Sequence, residues 1–516
     1  MYLAWIIGFS STFHHATASP LFSEAAPSIE STVGWVDSPS KRGTSQLVLG
    51  CLVTTLASTW AVLHLNIPSL KDRWHDKLVR KAKWMVLTVL FPEFILAKAI
   101  CDLRHAISDQ FEMHKMLQDP PDTLRIKGER IATYLDGSPG KFLCRWSWEA
   151  PFDRVHRFLY WILGARFVKV NDSHSSAQEP ASSQPAAESA PLGPDIGEAA
   201  GSRQHDHEEI QRQIWTMAHT CYLNMGGLRA KPGHISRHNA ERDVVVTMAY
   251  ILKPDSRLLE HITLTSADIE DKSKADWLLK SFTVLQIGWL LVEVLVRKLS
   301  KLPISQLEVA TFSFAITAIV TYAANWWKPK DINIPTVMFK QIGTQGLELG
   351  SFSLRMLVWT NLNLTRCAPS YNIPDRIQND LVPMSERAPV LSVILALSSL
   401  GFGGLHCLAW SLHFSTATEM AMWRISSLAT ALLPLLAIGS SIILERLYRS
   451  RQDRLKTLRD LATVIRHSLA FLSLTALISY ITARVILIAI CFSSLRSSPA
   501  GVYETTPWMQ FLPRFS

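Results

Sequence analysis

The sequence predicts an all-α fold: a polytopic transmembrane helix bundle of six or seven spans with a large polar loop. Three observations predict it. Apolar residues fall in runs of about 20, the length that spans the hydrocarbon core. Many of the 17 Trp sit at the ends of those runs, as at Trp60, Trp84, Trp277, Trp326, Trp327, Trp410 and Trp423, where an aromatic belt meets the headgroups. Lys and Arg, which give the 516-residue chain its net charge of +9, flank the same runs. That distribution, with no basic patch interleaved with aromatics, excludes a nucleic-acid partner and leaves the lipid bilayer as the first one.

Taken in order, residues 1–18 read as a signal peptide. The apolar stretch Leu3 to Phe9 is too short to span, and Ala16-Thr17-Ala18 is a small-x-small cleavage pattern. The n-region has no Lys or Arg, so a membrane-touching tail is the competing reading. Residues 19–44 form a polar segment. The first membrane region, 45–100, opens with a span from Ser45 to Leu65 that Asn66-Ile67-Pro68 stops. A basic run (Lys71, Arg73, Lys77, Arg80, Lys81, Lys83) follows. The next apolar stretch, Trp84 to Ile100, holds Pro92, Glu93 and Lys98 and either spans or dips into the membrane and returns. Residues 101–170 read as a helical or interfacial region. Within it, Phe152 to Val170 alternates aromatic and basic residues and suits either a surface-lying helix or a packed soluble one.

Residues 171–209 change to Ser, Ala, Pro and acidic composition that cannot bury a core, so they read as a disordered linker. His205-Asp206-His207-Glu208 within it reads as a solvated cluster, and no metal site is assigned. Residues 210–276 read as a polar helical segment. The main bundle, 277–496, places spans at Trp277–Val296, Leu307–Trp327, Pro389–Leu412, Met422–Leu444 and His467–Phe492. Residues 497–516 are a tail. Three of these starts carry Ser or Thr followed three residues later by an acid, the signature of a capping box: Ser273/Asp276, Ser305/Glu308 and Thr416/Glu419. Six spans are firm, and the stretch around Pro92 is the seventh.

The distribution of Lys and Arg separates the two topologies. With six crossings, the basic loop 445–466 shares the cytosolic side with the run 71–83. With seven it lies outside, and only then do Asn171 and Asn363 read as glycosylation sites. The count favours six.

Charged groups within spans are costly. Lys280 and Glu293 lie near span ends, where they can reach water, whereas His406 and Arg484 lie deeper. Given the alternating helix directions, His406, Arg424 and Arg484 fall in the same half of the bilayer. Gly401-Phe402-Gly403-Gly404 beside them lets a neighbouring helix approach. These three form a candidate intramembrane polar cluster, to be weighed against a structural hydrogen-bond network. No catalytic motif, phosphate loop, dinucleotide fingerprint or Asp-rich metal-diphosphate pair is present. The seven Cys include no Cys-x-x-Cys, so no catalytic residue and no cofactor is assigned.

Several ordered motifs stand together: Arg42-Gly43-Thr44, Trp60 to Pro68, Lys83-Trp84-Met85, Phe91-Pro92-Glu93, Met225-Gly226-Gly227, Asp271-Lys272-Ser273-Lys274, Gly404 to Trp410, Trp423-Arg424, and Leu495 through Trp508. This set resembles a large family of polytopic membrane proteins of filamentous fungi, from about residue 34 to the C-terminus with a break at the linker. The resemblance implies the bundle fold and a fungal source and brings no activity with it. The expected function is transport or sensing of a small molecule in a membrane of the secretory pathway, the endoplasmic reticulum or the plasma membrane. The alternatives are a membrane-embedded enzyme or accessory factor acting on a lipophilic metabolite, with His406 as acid/base, and a structural partner of another membrane protein.

Overall fold

The computed structural model describes residues 32–36, 42–118, 134–135, 214–232, 244–252, 258, 262, 264–273, 277–342, 351–353, 376–377, 379, 381–383, 388–450 and 457–505. The signal peptide, the acidic linker, the stretch 152–170, Asn171, His205 and Asn363 lie outside these residues.

The elements run β1 (Thr32–Val33), α1 (Thr44–Val62), α2 (Trp74–Leu90), α3 (Pro92–Gln118), β2 (Tyr134–Leu135), β3 (Ile214–Trp215), α4 (Met217–Asn224), β4 (Leu228–Pro232), β5 (Val244–Val245), α5 (Met248–Ile251) and α6 (Ser266–Lys272). They continue with α7 (Trp277–Leu299), α8 (Gln306–Ala324), β6 (Thr336–Ile342), β7 (Ser351–Ser353), β8 (Leu381–Pro383), α9 (Ala388–His406), α10 (Ala417–Ser450), α11 (Thr457–Ser493) and β9 (Ser498–Pro499).

Among the described residues, four helical segments are long and apolar enough to cross a membrane: α1, α8, Ala417–Gly439 of α10, and Phe471–Ser497, which is most of α11 and the turn after it. They become five if α2 and α3, bent 109° to each other, count as one. Two of the expected spans fall outside that group. α9 is a shorter apolar helix over Val393–Ala409, and α7 carries Glu293, Arg297 and Lys298 in its last turns. Leu285, Leu295, Ile425, Leu436 and Phe471 are more than half exposed on the outer faces of these helices. Such a belt is an aggregation hazard in water and is at home in lipid.

α8 is the central helix. Its apolar window is 61% buried against 28% for α10, and it packs on α1, α3 and α9. It buries five hydroxyl residues because four of the hydroxyls bond back along the helix. Thr311, Ser313, Thr317 and Thr321 donate to the carbonyls of Leu307, Val309, Ser313 and Thr317 at 2.7–2.9 Å. The fifth, Ser305, caps its start. No polar group of that row is left bare, and the small side chains admit close neighbours.

Gly403 sets the approach of α9 to α10: an added Cβ would lie 2.6 Å from the backbone nitrogen of Ala431. Gly401 and Gly404 face open space, so one glycine of the stretch makes the helix contact.

The polar segment 210–276 is not simply helical. It supplies the central strand and one edge of a three-stranded sheet ordered β5-β4-β6, with β4 antiparallel to β5 and parallel to β6. That sheet and α4 to α6 enclose an apolar core of their own, including Trp215, Tyr222, Leu228, Val246 and Met338. The strands are two to seven residues long and their partners lie far apart in the chain, so no period-two signal marks them; the fold is mostly helical rather than all-α. Ile67 and Met113 enter this core from the bundle. Its His219, which bonds the Leu264 carbonyl, has its pKa lowered by burial.

One of the expected capping boxes differs from expectation, and Asp276 of another lies outside the described residues. Ser305/Glu308 closes fully at the start of α8. At Thr416/Glu419 the hydroxyl accepts from the Glu419 N–H, but the carboxylate turns to Ser493 and Arg496 instead. Ser273 ends α6, its hydroxyl donating to Glu270 O. A Ser-x-x-Asp tetrad reads the same beside a helix end as beside a start, and α6 begins instead with the box Thr265/Asp268.

Candidate functional site

The site begins at a broken helix. Pro92 has no N–H and keeps the residue before it out of helical conformation, so α2 stops at Leu90 and α3 starts at Pro92 on a new axis. Carbonyls before such a break lose helical donors, and inside a bilayer they need others.

Arg484 of α11 supplies them. Its Nη2 donates to Val89 O at 2.7 Å and its Nε to Leu90 O at 3.2 Å. Tyr480, one turn earlier, stacks on Phe91 with ring centroids 5.5 Å apart and donates its hydroxyl to Glu93 Oε1. The other Glu93 oxygen has no hydrogen-bond partner among the described residues. Arg484 lies 13 residues from each end of the apolar segment Phe471–Ser497, close to mid-depth. A buried arginine there is tolerated because every face of it meets protein: carbonyls on one side and the rings of Phe402 and Phe314, 4.5 and 5.5 Å away, on the others.

His406 joins the same cluster through Phe402. Its ring lies 4.7 Å from that of Phe402 and its Nδ1 donates to Phe402 O at 3.0 Å. Trp423 closes the other side, with Nε1 donating to His406 O. Arg484 and His406 are thus brought together on the two sides of one phenylalanine. Arg424 is not part of that cluster. It is partly exposed at the start of α10 and holds Trp410 O with Nε and Nη2 at 3.1 and 2.9 Å, its guanidinium over the Trp410 ring. It ties the α9–α10 turn.

Glu93 and Tyr480 belong to the site as much as His406 does. Phe91-Pro92-Glu93 signals the break, but only the fold shows what reaches it.

Two recesses adjoin the break. The deeper one, with room for about one water, lies between α1, α2, α3 and α8 and is lined by Ser58, Thr88, Pro92, Phe314, Thr317 and Thr321 among others. The second opens where α1 and α8 end and is lined by His64, Trp84, Lys98, Asp102, Asn325 and Lys328 among others. Val62 and Ile95 line both. Asp102 pairs with Lys98 at 2.9 Å and with Lys328 at 2.7 Å.

A separate buried network closes the opposite end of the bundle. Arg42 Nη1 meets Glu308 at 2.6 Å and its Nη2 meets Glu293 at 3.2 Å. Burial disfavours the Arg42 cation, but the two carboxylates outweigh it and hold its pKa above the usual value. Arg297, fully buried, donates to the carbonyls of Pro303, Gly501, Val502 and Glu504. Glu293 is therefore paired inside protein rather than reaching for water.

Among the described residues no group of three or more His, Cys, Asp or Glu is placed to hold a metal ion.

Compared with known proteins, the sequence matches a family of unknown function, DUF8562, over residues 15–121, 194–388 and 371–515. The chain belongs to this family. Every residue of the broken-helix site falls within the matched segments, whereas most of the acidic linker falls between them. No curated protein and no solved structure matches the chain.

Proposed function

We propose that this member of the family is a multi-pass integral membrane protein that transports or senses a small lipophilic molecule, with the α2–α3 pair as its responsive element. The observation that carries the reading is the break at Phe91-Pro92. A helix interrupted at mid-depth, held by side chains of another helix, and bearing a buried carboxylate is the arrangement that binds or moves ligands in transporters. His406 lines neither recess, which weighs against its use as acid/base by an embedded enzyme.

The contacts also favour six crossings. Lys81 of α2 pairs with Asp331, just beyond α8, so α2 enters near that end of the bundle. α3 leaves at the same end, where Asp109 accepts from Asn224 and Gln110 from Thr220. The pair thus goes in and comes back, and α1, α7, α8, α9, α10 and α11 cross. The basic segment 71–83 then lies at the end assigned to the cytosol, together with the loops holding Asn171 and Asn363. The resemblance to fungal polytopic proteins and a secretory-pathway membrane belong to the same reading.

Two measurements test it. In sealed cells, an impermeant maleimide is expected to label Lys301→Cys, between α7 and α8, and to label Lys71→Cys only after permeabilisation. Equal access to both, or glycosylation of Asn363, would break the six-crossing arrangement. For the function, lipophilic metabolites are compared inside and outside cells that carry or lack the protein. A redistribution of at least one compound class is expected, and identical pools and partition would sink the transport or sensing role.

A further inference from the structure

We propose that α2, with the basic turn before it, is a docking face for anionic phospholipids of the leaflet that it meets. Lipid chains cover an apolar stripe along the helix, and lipid phosphates sit against the cations beside it.

The stripe comes first. At about 100° per residue, positions four apart drift by only about 40°, so Trp74, Leu78, Ala82 and Val86 fall along one side of α2 with Val79 at its edge. Trp74 is 75% exposed, and Leu78, Val79 and Val86 are each more than half exposed. The other side meets protein: Trp84 and Thr88 are buried, and Lys81 pairs with Asp331 above the Trp60 ring. A helix that simply crossed the bilayer would not begin amid a run of Lys and Arg. A helix in water would not turn a tryptophan and a row of aliphatic side chains outward. α2 does both, which is the pattern of a helix lying at the headgroup boundary with its apolar side towards the chains. Its axis agrees. α2 and α3 are bent 109° to each other, nearer to lying crosswise than to running back side by side.

Charge selects the lipid. Residues 71–83 hold six Lys and Arg against Asp72 and Asp76. Among the described residues, Lys81 alone of these has a carboxylate to itself. Arg80 stands 3.9 Å from Asp72 Oδ2, an oxygen that already accepts from Arg376 at 3.1 Å and from the Ser69 amide. The buried Nε of Arg80 has no hydrogen-bond partner among the described residues. Lys71, Arg73, Lys77 and Lys83 have no ion pair there either. Unpaired cations beside exposed apolar surface draw lipids of negative charge. The same cations disfavour a second copy of the chain, which would bring its own against them. Under the six-crossing arrangement the leaflet is the cytosolic one, where anionic lipids concentrate.

The experiment places the full-length chain in nanodiscs of phosphatidylcholine and phosphatidylserine in equal amounts, with one of the two brominated high on its acyl chains. Tryptophan fluorescence is the readout, and the difference between the parent and Trp74→Phe isolates Trp74. Brominated phosphatidylserine should quench Trp74 about threefold more than brominated phosphatidylcholine, and the advantage should shrink in high salt. Lys71→Gln, Arg73→Gln, Lys77→Gln and Lys83→Gln, made together, should bring the two lipids level. The melting temperature should hold, and brominated phosphatidylcholine should still quench, because those side chains pair with nothing else in the fold.

Equal quenching by both lipids in the parent would overturn the anionic preference. Absence of quenching by either would overturn the lipid face and leave it to a protein partner. A preference that survives the glutamine substitutions would place the anionic lipid elsewhere. Loss of the preference on adding inorganic phosphate, at an ionic strength where sodium chloride leaves it intact, would replace the lipid with a soluble anion. A preference for phosphatidylserine in a protein whose Lys71→Cys is labelled from outside sealed cells would uphold the docking face and sink the six-crossing arrangement.

Discussion

Arg484→Leu is expected to be the most damaging single substitution in the bundle, lowering stability by about 2–5 kcal/mol, from buried groups left unsatisfied at about 1–3 kcal/mol each. Arg484 holds the two carbonyls left at the helix break and is the cation facing Glu93. Leucine would leave the Val89 carbonyl bare, and the Leu90 carbonyl and Glu93 with only the Tyr480 hydroxyl between them. Adding Glu93→Gln should return part of the loss, because the uncompensated charge goes with it. Thermal unfolding of the purified variants, together with their abundance in cells, measures this. From the sequence alone the opposite sign is reasonable, since an apolar residue suits lipid better than a guanidinium. The location of Arg484 against a broken helix reverses the expectation. A melting temperature equal to or above that of the parent would remove Arg484 from the structural account.

Arg42→Ala should come close behind, for a related reason. It would strip the cation from Glu308, whose side chain is fully buried, and from Glu293, whose side chain is 9% exposed. Two carboxylates would then face each other in a dry site, at a cost of about 3–5 kcal/mol. Arg42→Lys should recover little, because a single ammonium on a flexible stem does not reproduce the forked contact with two acceptors. Glu293→Gln in the alanine background should recover more. The same unfolding assay separates these outcomes, and a full rescue by lysine would show that charge alone, not the fork, holds this end together.

The parts of the fold that were legible in the sequence are those set by local composition. The helices α1, α8, α10 and α11 announce themselves because about 20 consecutive apolar residues have few alternatives to spanning lipid. The box at Ser305/Glu308 is equally local and closes as read. What was not legible depends on pairs distant in the chain. Arg42 and Glu308 are 266 residues apart, and Tyr480 and Glu93 are 387 apart; no spacing rule connects them. The same limit explains the site. Depth placed His406 and Arg484 in one half of the bilayer, and they do share Phe402. It placed Arg424 there too, yet rotation about the helix axis turns that side chain outward to Trp410. Depth follows from counting residues, whereas azimuth follows from packing.

The pairing of Thr32–Val33 with Ser498–Pro499 bears on how this protein is made. Residues 498–504 leave the ribosome after α1 to α11. Until then the first strand lacks its mate, and Arg297 lacks three of the four carbonyls it holds. The Arg42 amide likewise waits for the Tyr503 carbonyl. Closure of that end therefore waits for the segment that follows α11. A nascent chain arrested before residue 498 would present buried-type cations without acceptors at the membrane surface, a form that quality-control machinery can tell from the finished molecule.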